Sequence, residues 1–167
     1  EIIMKNKFLF ALMAVFALVA CTPENYSVFE ESPDERVAKV LKEYESILLG
    51  SENGWILTLE TGTSGAYNHW VKFLPNNRIQ MLSDAEGTSL SRFQGSSSVI
   101  YESSYRLKSV TTPILMFDTY NYIHMLADPN PAINGGDSGE GLITDFEFSL
   151  GKYSKETKTL TLKGRYN

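Results

Sequence analysis

Apolar residues recur along this chain with two different periods, and the change between them falls near residue 50. Val37, Val40, Leu41, Tyr44, Ile47 and Leu48 share one face at helical spacing, which predicts an amphipathic helix. Its start is written in Ser32-Pro33-Asp34-Glu35. Serine at the N-cap, proline at the first helical position and glutamate at the third make a capping box. Asp34 and Glu35 also complement the positive end of the helix dipole. Gly50 ends the helix where a left-handed residue is wanted. Such a face needs something apolar to lie against.

Beyond Gly50 the period drops to two. Trp55, Leu57 and Leu59 alternate with Ile56, Thr58 and Glu60, and Thr61-Gly62-Thr63-Ser64-Gly65 turns the chain. Tyr67 to Leu74 returns, and Pro75-Asn76-Asn77 is a tight turn into Arg78 to Ser83. Val99, Tyr101, Ser103, Tyr105 and Leu107 alternate with Ile100, Glu102, Ser104, Arg106 and Lys108. Ile114 to Phe117 is a short apolar strand. Phe146, Phe148 and Leu150 alternate with Asp145, Glu147 and Ser149, and Thr157 to Lys163 completes a hairpin. Seven short strands joined by turns predict a mainly β fold, an antiparallel meander forming a barrel-like or sandwich-like domain.

Two stretches depart from that pattern. Tyr120, Ile123, His124 and Ala127 have helical spacing, with Asp118 or Thr119 as cap, so a one- or two-turn helix is expected to plug one end of the sheet. Asp128 to Gly141, rich in proline, glycine and asparagine, reads as the longest unstructured loop, and long loops in compact domains are usually functional or mobile.

The first residues add an address. Lys5 and Lys7 precede an apolar run from Phe8 to Ala20, followed at once by Cys21. A basic segment, a short apolar core and small residues at the cut site make a secretory signal. A run of thirteen residues is too short for a span, which needs about 20. Leu18-Val19-Ala20-Cys21 reads as a lipobox, with cleavage between Ala20 and Cys21 and a diacylglyceryl group on the Cys21 sulfur. Each buried CH₂ contributes about 0.8 kcal/mol, so two or three chains hold a protein where one is marginal. Residues 1–20 are then signal peptide, 21–31 a lipidated tether and 32–167 a single β-rich domain. Glu1-Ile2-Ile3 precede Met4, which looks like the natural start.

Cys21 is the one cysteine of the chain, so the mature protein has neither a disulfide nor a thiol nucleophile, and acylation gives that lone cysteine its use. Threonine rather than aspartate follows it, which favours the outer membrane and leaves periplasmic or surface facing open. Cleavage removes Glu1, Lys5 and Lys7 and takes the net charge from −5 to −6. With no run of lysine or arginine, nucleic acid and anionic lipid are poor partners.

Several segments together resemble one family: Phe29-Glu30-Glu31-Ser32-Pro33-Asp34-Glu35-Arg36, Asn53-Gly54-Trp55, Ser104-Tyr105-Arg106-Leu107, Phe117-Asp118-Thr119-Tyr120-Asn121, His124-Met125-Leu126-Ala127-Asp128-Pro129 and Asp145-Phe146-Glu147-Phe148. From residue 21 to 165 the chain is similar to the N-terminal part of the Bacteroidota lipoproteins grouped as domain of unknown function 4302. The resemblance implies a longer chain, with a C-terminal region beyond Asn167. It also implies a surface accessory role in nutrient capture, beside outer-membrane transporters and substrate-binding lipoproteins. It brings no catalytic residues.

Candidate chemistry is sparse. His69 shares a strand face with Tyr67, Val71 and Phe73, so it reads as packed and hydrogen-bonded. His124 near Asp118 and Asp128 is a conceivable metal ligand, but no ligand spacing accompanies it. Asp145 and Glu147 project from one strand face about 7 Å apart, a separation an inverting glycosidase can use. With Phe146 and Phe148 opposite, the pair reads more simply as a solvated outer face. Gly135 to Gly141 faintly resembles a calcium turn but reads as a flexible loop. No serine sits in Gly-x-Ser-x-Gly, and no cofactor motif is present. Among the aromatics Trp70 stands out: it alternates with Asn68 and Lys72 on a polar face, where an exposed ring would be a ligand platform. The leading expectation is a non-enzymatic outer-membrane lipoprotein that aids ligand capture by a transporter complex, with a glycan or peptide ligand. A glycan or peptide hydrolase using Asp145 and Glu147 or a metal at His124 is the first alternative, and a structural or adhesive surface protein the second.

Overall fold

Each reversal of the chain carries a residue suited to its geometry, and the strands between reversals pair in chain order. The computed structural model describes residues 31–63, 65–88, 91 and 93–166. The expected signal peptide, the expected Ala20–Cys21 cleavage site and the expected tether up to Glu30 lie outside the described residues. Asp34–Asn167 form one compact unit. The elements are α1 (Pro33–Leu49), β1 (Trp55–Glu60), β2 (Ala66–Leu74), β3 (Arg78–Ser83), β4 (Tyr101–Ser109), β5 (Pro113–Phe117), α2 (Tyr122–Leu126), α3 (Pro131–Asn134), β6 (Glu147–Ser154) and β7 (Thr159–Gly164).

The seven strands form one sheet in the order β1 to β7, a meander curled into a half-barrel. Every neighbouring pair is antiparallel. Consecutive asparagines at left-handed φ, Asn76 and Asn77 (both +59°), make the β2–β3 reversal, as turn chemistry leads one to expect. Inward positions fill a single core in which Val71, Ile79, Met81, Tyr105, Leu115, Phe117, Phe148 and Leu150 are buried. The short helix α2 enters that core with Tyr122, Ile123, Met125 and Leu126, so it plugs the sheet as expected. Its cap is Asn121, not Asp118 or Thr119. The wholly buried Asn121 carboxamide accepts from the N–H groups of Ile123 and His124 and donates to Ser103 Oγ at 3.1 Å.

Helix α1 forms where its capping box and periodicity put it, but only its last turns are covered. Leu48 is buried, Tyr44 and Ile47 are half-buried, and Val37 and Val40 are exposed. Two bonds fix its C-terminal end. The Trp55 indole donates to the Leu48 carbonyl at 3.0 Å, and the Tyr44 hydroxyl donates to the Gly151 carbonyl at 3.0 Å. A bulge in β6 between Leu150 and Tyr153 helps. One extra residue there reverses which side chains face inward, so both Leu150 and Tyr153 do, and Tyr153 meets Trp55 edge to face at 6.2 Å.

Two sequence expectations are corrected. Asp128 to Gly141 is not an unstructured loop. It holds α3, and the Asn134 side chain donates to the carbonyls of Met125, Leu126 and Asp128, while Asp137 and Gly141 form a bridge. Nor does the alternation at Phe146 hold. The strand begins at Glu147, after Ile143 takes a left-handed φ of +51°. Phe146 is then 37% exposed, whereas Asp145 is buried and accepts the Tyr166 N–H at 3.2 Å. The two carboxylates are therefore not a solvated outer pair: Glu147 is half-buried and bridges Lys108 at 3.3 Å.

Candidate functional site

Six antiparallel steps put every odd-numbered strand in the same direction, so β1 and β7 run parallel to one another. Both end the sheet, and no pairing joins them among the described residues. They nevertheless face each other. Thr58, Leu59 and Glu60 of β1 and Leu162, Lys163 and Gly164 of β7 line one cavity of about 670 Å³, floored by Phe148. A second cavity, about 1240 Å³, lies at the other end of the same two strands, between Trp55-Ile56 and Thr159-Leu160, and is walled by α1. The open side of the half-barrel is thus a slot along the whole of β1 and β7. Leu57, Leu59, Leu160 and Leu162 turn toward the core, while Thr58, Glu60, Thr159, Thr161 and Lys163 are exposed.

A second concentration of polar groups surrounds the start of α2. Ser104 Oγ donates to Asp118, which also pairs with Arg106 at 3.2 Å, and the Tyr120 hydroxyl donates to Asp128. Phe93, Tyr120, His124 and Phe146 form a column of stacked rings from the core to the surface, with centroid steps of 5.6, 5.7 and 4.6 Å. Burial lowers the His124 pKa to about 4 against the opposing pull of the Phe117 carbonyl and Asp118. Its Nδ1 faces Asn121 Oδ1 at 3.1 Å, not a hydroxyl. Stacking on two rings and the contact with the Asn121 amide hold the His124 ring in place. No group of three His, Cys, Asp or Glu among the described residues is placed to hold a metal.

His69 lies on the inward face as its strand neighbours imply, fully buried between Leu57 and Ser83. It is not hydrogen-bonded: neither ring nitrogen has a partner. Trp70 is half-buried on the outer face, in a row with Ile56 and Leu82. Its indole donates to the Asn53 carbonyl at 2.8 Å. Gly54 makes this contact possible. Its φ is +79°, and a Cβ there would sit 2.7 Å from the Val71 carbonyl oxygen and 2.9 Å from Trp70 Nε1. The Asn53-Gly54-Trp55 segment therefore joins the helix end to two strands. Trp70→Ala is expected to cost about 1–2 kcal/mol in urea denaturation, from the lost burial and hydrogen bond. A change below about 0.3 kcal/mol would show that the ring contributes nothing to packing.

Sequence reasoning brought forward Cys21, which lies outside the described residues, and Trp70, which stands on the outer face and does not itself line the slot, although its partner Asn53 does. It did not bring forward the slot itself.

These features define a class: a seven-stranded antiparallel half-barrel with one end closed by short helices and one side left open. The chain belongs to the family described as Domain of unknown function (DUF4302), which it matches over residues 25–167. No curated protein and no solved structure matches it.

Proposed function

We propose that this protein is an exported lipoprotein, held at the outer membrane by acyl chains on Cys21, and that it serves as a non-enzymatic binding accessory of a nutrient-uptake system. The observation that carries the binding role is the open side of the half-barrel, where two strand edges that pair with nothing among the described residues flank an apolar-floored slot. Binding sites are concave, and the slot is concave, with an apolar floor at Phe148 and a rim that carries charged side chains such as Lys152, Lys158, Glu43 and Glu60. The polar cluster at α2 supports the non-enzymatic reading, because its hydroxyls and carboxylates are paired with one another. The tether reading rests on the basic segment, the apolar run and the cysteine after Ala20.

Two measurements test it. Cells fed labelled palmitate are expected to label the wild-type chain, whereas Cys21→Ala loses the label and partitions into the soluble envelope fraction. Label retained in Cys21→Ala contradicts the anchor. A photo-cross-linker at Thr161, on the β7 edge, is expected to trap a transporter subunit on intact cells, while one at Val110, exposed on the far hairpin, traps none. Equal trapping from both positions contradicts the slot as the binding side.

A further inference from the structure

We infer that the outer face of β1, β2 and β3 is a self-association surface, on which a second copy of this chain docks about a two-fold axis. The inference goes beyond the binding role proposed above and does not rest on the slot. A row of apolar side chains, set by strand register, carries it. Ile56 stands opposite Trp70, and Trp70 stands opposite Leu82. Met81 pairs with Tyr101, so the same register places Ile100, just ahead of β4, beside Leu82. All four point outward, because their chain neighbours Leu57, Val71, Met81 and Tyr101 turn to the core. Ile56 is 68% exposed and Ile100 56%, with Trp70 and Leu82 half-buried between them. Apolar residues scattered singly on a surface are ordinary, but four in a line make a patch. With strands about 4.8 Å apart the row is about 14 Å long. The patch is also flat. The Trp70 ring lies over Gly54, its Nε1 2.9 Å from where a Cβ would stand, and its bond to the Asn53 carbonyl holds it there.

Charge selects a second copy as the occupant and fixes how it sits. A polar row flanks the apolar one about 7 Å to either side. One holds Thr58, Asn68 and Asp84, where the Asp84 carboxylate accepts the Asn68 N–H at 2.8 Å and its side-chain amide at 3.0 Å. The other holds Lys72, Gln80 and Glu102. Arg78 neutralises Glu102 at 3.1 Å, whereas no carboxylate pairs with Lys72 among the described residues. The face is therefore acidic on one side of the row and basic on the other. A two-fold axis along the row lays the acidic side of each copy over the basic side of its mate. Asp84 then meets Gln80 and Lys72 of the second copy, twice over by symmetry, and each apolar side chain meets its own equivalent. Sheets packed face to face lie about 10 Å apart, a gap that a lysine and a carboxylate span together. An axis along the strands instead sets Asp84 against Asp84 and Lys72 against Lys72, which repulsion opposes. Ten residues a side take part, against about 20–30 in a standard interface, so the dimer is a weak one.

The experiment uses residues 21–167 with Cys21→Ala, a chain with no lipid and no other cysteine. Sedimentation equilibrium is expected to show monomer at about 10 µM and mostly dimer at about 1 mM. Ile56→Asp, at an exposed site, should weaken the dimer by about tenfold or more, and Lys72→Glu several-fold, with the urea midpoint of each unchanged. Single cysteines read the axis. Ile56→Cys and Ile100→Cys should each cross-link to themselves through a short bismaleimide. A mixture of the two should give little mixed product, and Val110→Cys, exposed on the β4–β5 hairpin, none. Monomer across the whole concentration range overturns the inference. So does association that Ile56→Asp leaves intact, or mixed cross-linking ahead of self cross-linking. A monomer that binds phosphatidylethanolamine vesicles, and loses them with Ile56→Asp, would assign the patch to a lipid surface and overturn it too.

Discussion

Phe117→Ala is expected to destabilise the domain by about 3–5 kcal/mol, the range for truncating a large aromatic in a packed core. Phe117 ends β5 at the centre of the half-barrel and is fully buried. It stands opposite Tyr105 of β4, and its ring meets Phe148 of β6 edge-on at 6.2 Å. Its N–H also donates to the Phe146 carbonyl at 3.0 Å, where β6 begins. In a sheet whose two ends are open, the middle strands carry the burial, so the cavity left by alanine has rigid walls on both sides and little chance to collapse. Because small domains are stable by only about 5–15 kcal/mol, such a loss takes a large share of the total. Urea denaturation of the mature chain measures it. A loss below about 1 kcal/mol would mean that the centre of the sheet is not packed as described.

The second large effect concerns acid. Burial lowers the His69 pKa to about 4, with Asp84 pulling weakly the other way, whereas the unfolded ring titrates near 6.5. Between those values the unfolded chain gains a proton that the folded one refuses. Stability is therefore complete above about pH 6.5 and falls as the pH drops toward 4. At about 1.4 kcal/mol per unit the loss from His69 alone is about 3 kcal/mol, and His124, also lowered to about 4, acts in the same direction. Carboxylates titrate in part of the same range, so the decisive measurement is a difference. His69→Leu removes two buried ring nitrogens that have no partner. It is expected to be neutral or stabilising by about 1 kcal/mol at pH 7, and to gain further on wild type as the pH falls from 6.5 to 4. A wild-type-minus-variant difference that stays constant across that window would contradict this account of His69.

Much of this architecture was legible from residue pattern, and the exceptions have physical causes. Alternation and turn residues were enough for the strands, because one face of an antiparallel sheet is buried and the other is not. The Asn76-Asn77 turn and the Pro33 helix start follow from local chemistry alone. Phe146 was misread because the turn at Ile143 resets which side chains face inward, and a left-handed residue of that kind leaves no trace in a hydrophobic pattern. Asp128 to Gly141 looked loose by composition, yet one carboxamide, that of Asn134, ties three carbonyls together. The capping role of Asn121 was hidden by Asp118 and Thr119, equally good caps a few residues earlier, which are engaged with Ser104 instead. Trp70 stands half-buried between Ile56 and Leu82 on the outer face, and its bond to Asn53 depends on the conformation of Gly54, a tertiary detail. The slot depends on how β1 and β7 lie across the curled sheet, which no single segment contains.

The account turns on the half-barrel being open, and native-state amide exchange on the mature protein without added ligand measures that most directly. Those amides of β1 and β7 that point away from β2 and β6 are predicted to exchange faster than the paired amides of β2 through β6 by orders of magnitude. Protection along the outer sides of both edge strands, equal to that of β3 and β4, would show a closed barrel and contradict the binding slot on which the proposed function stands.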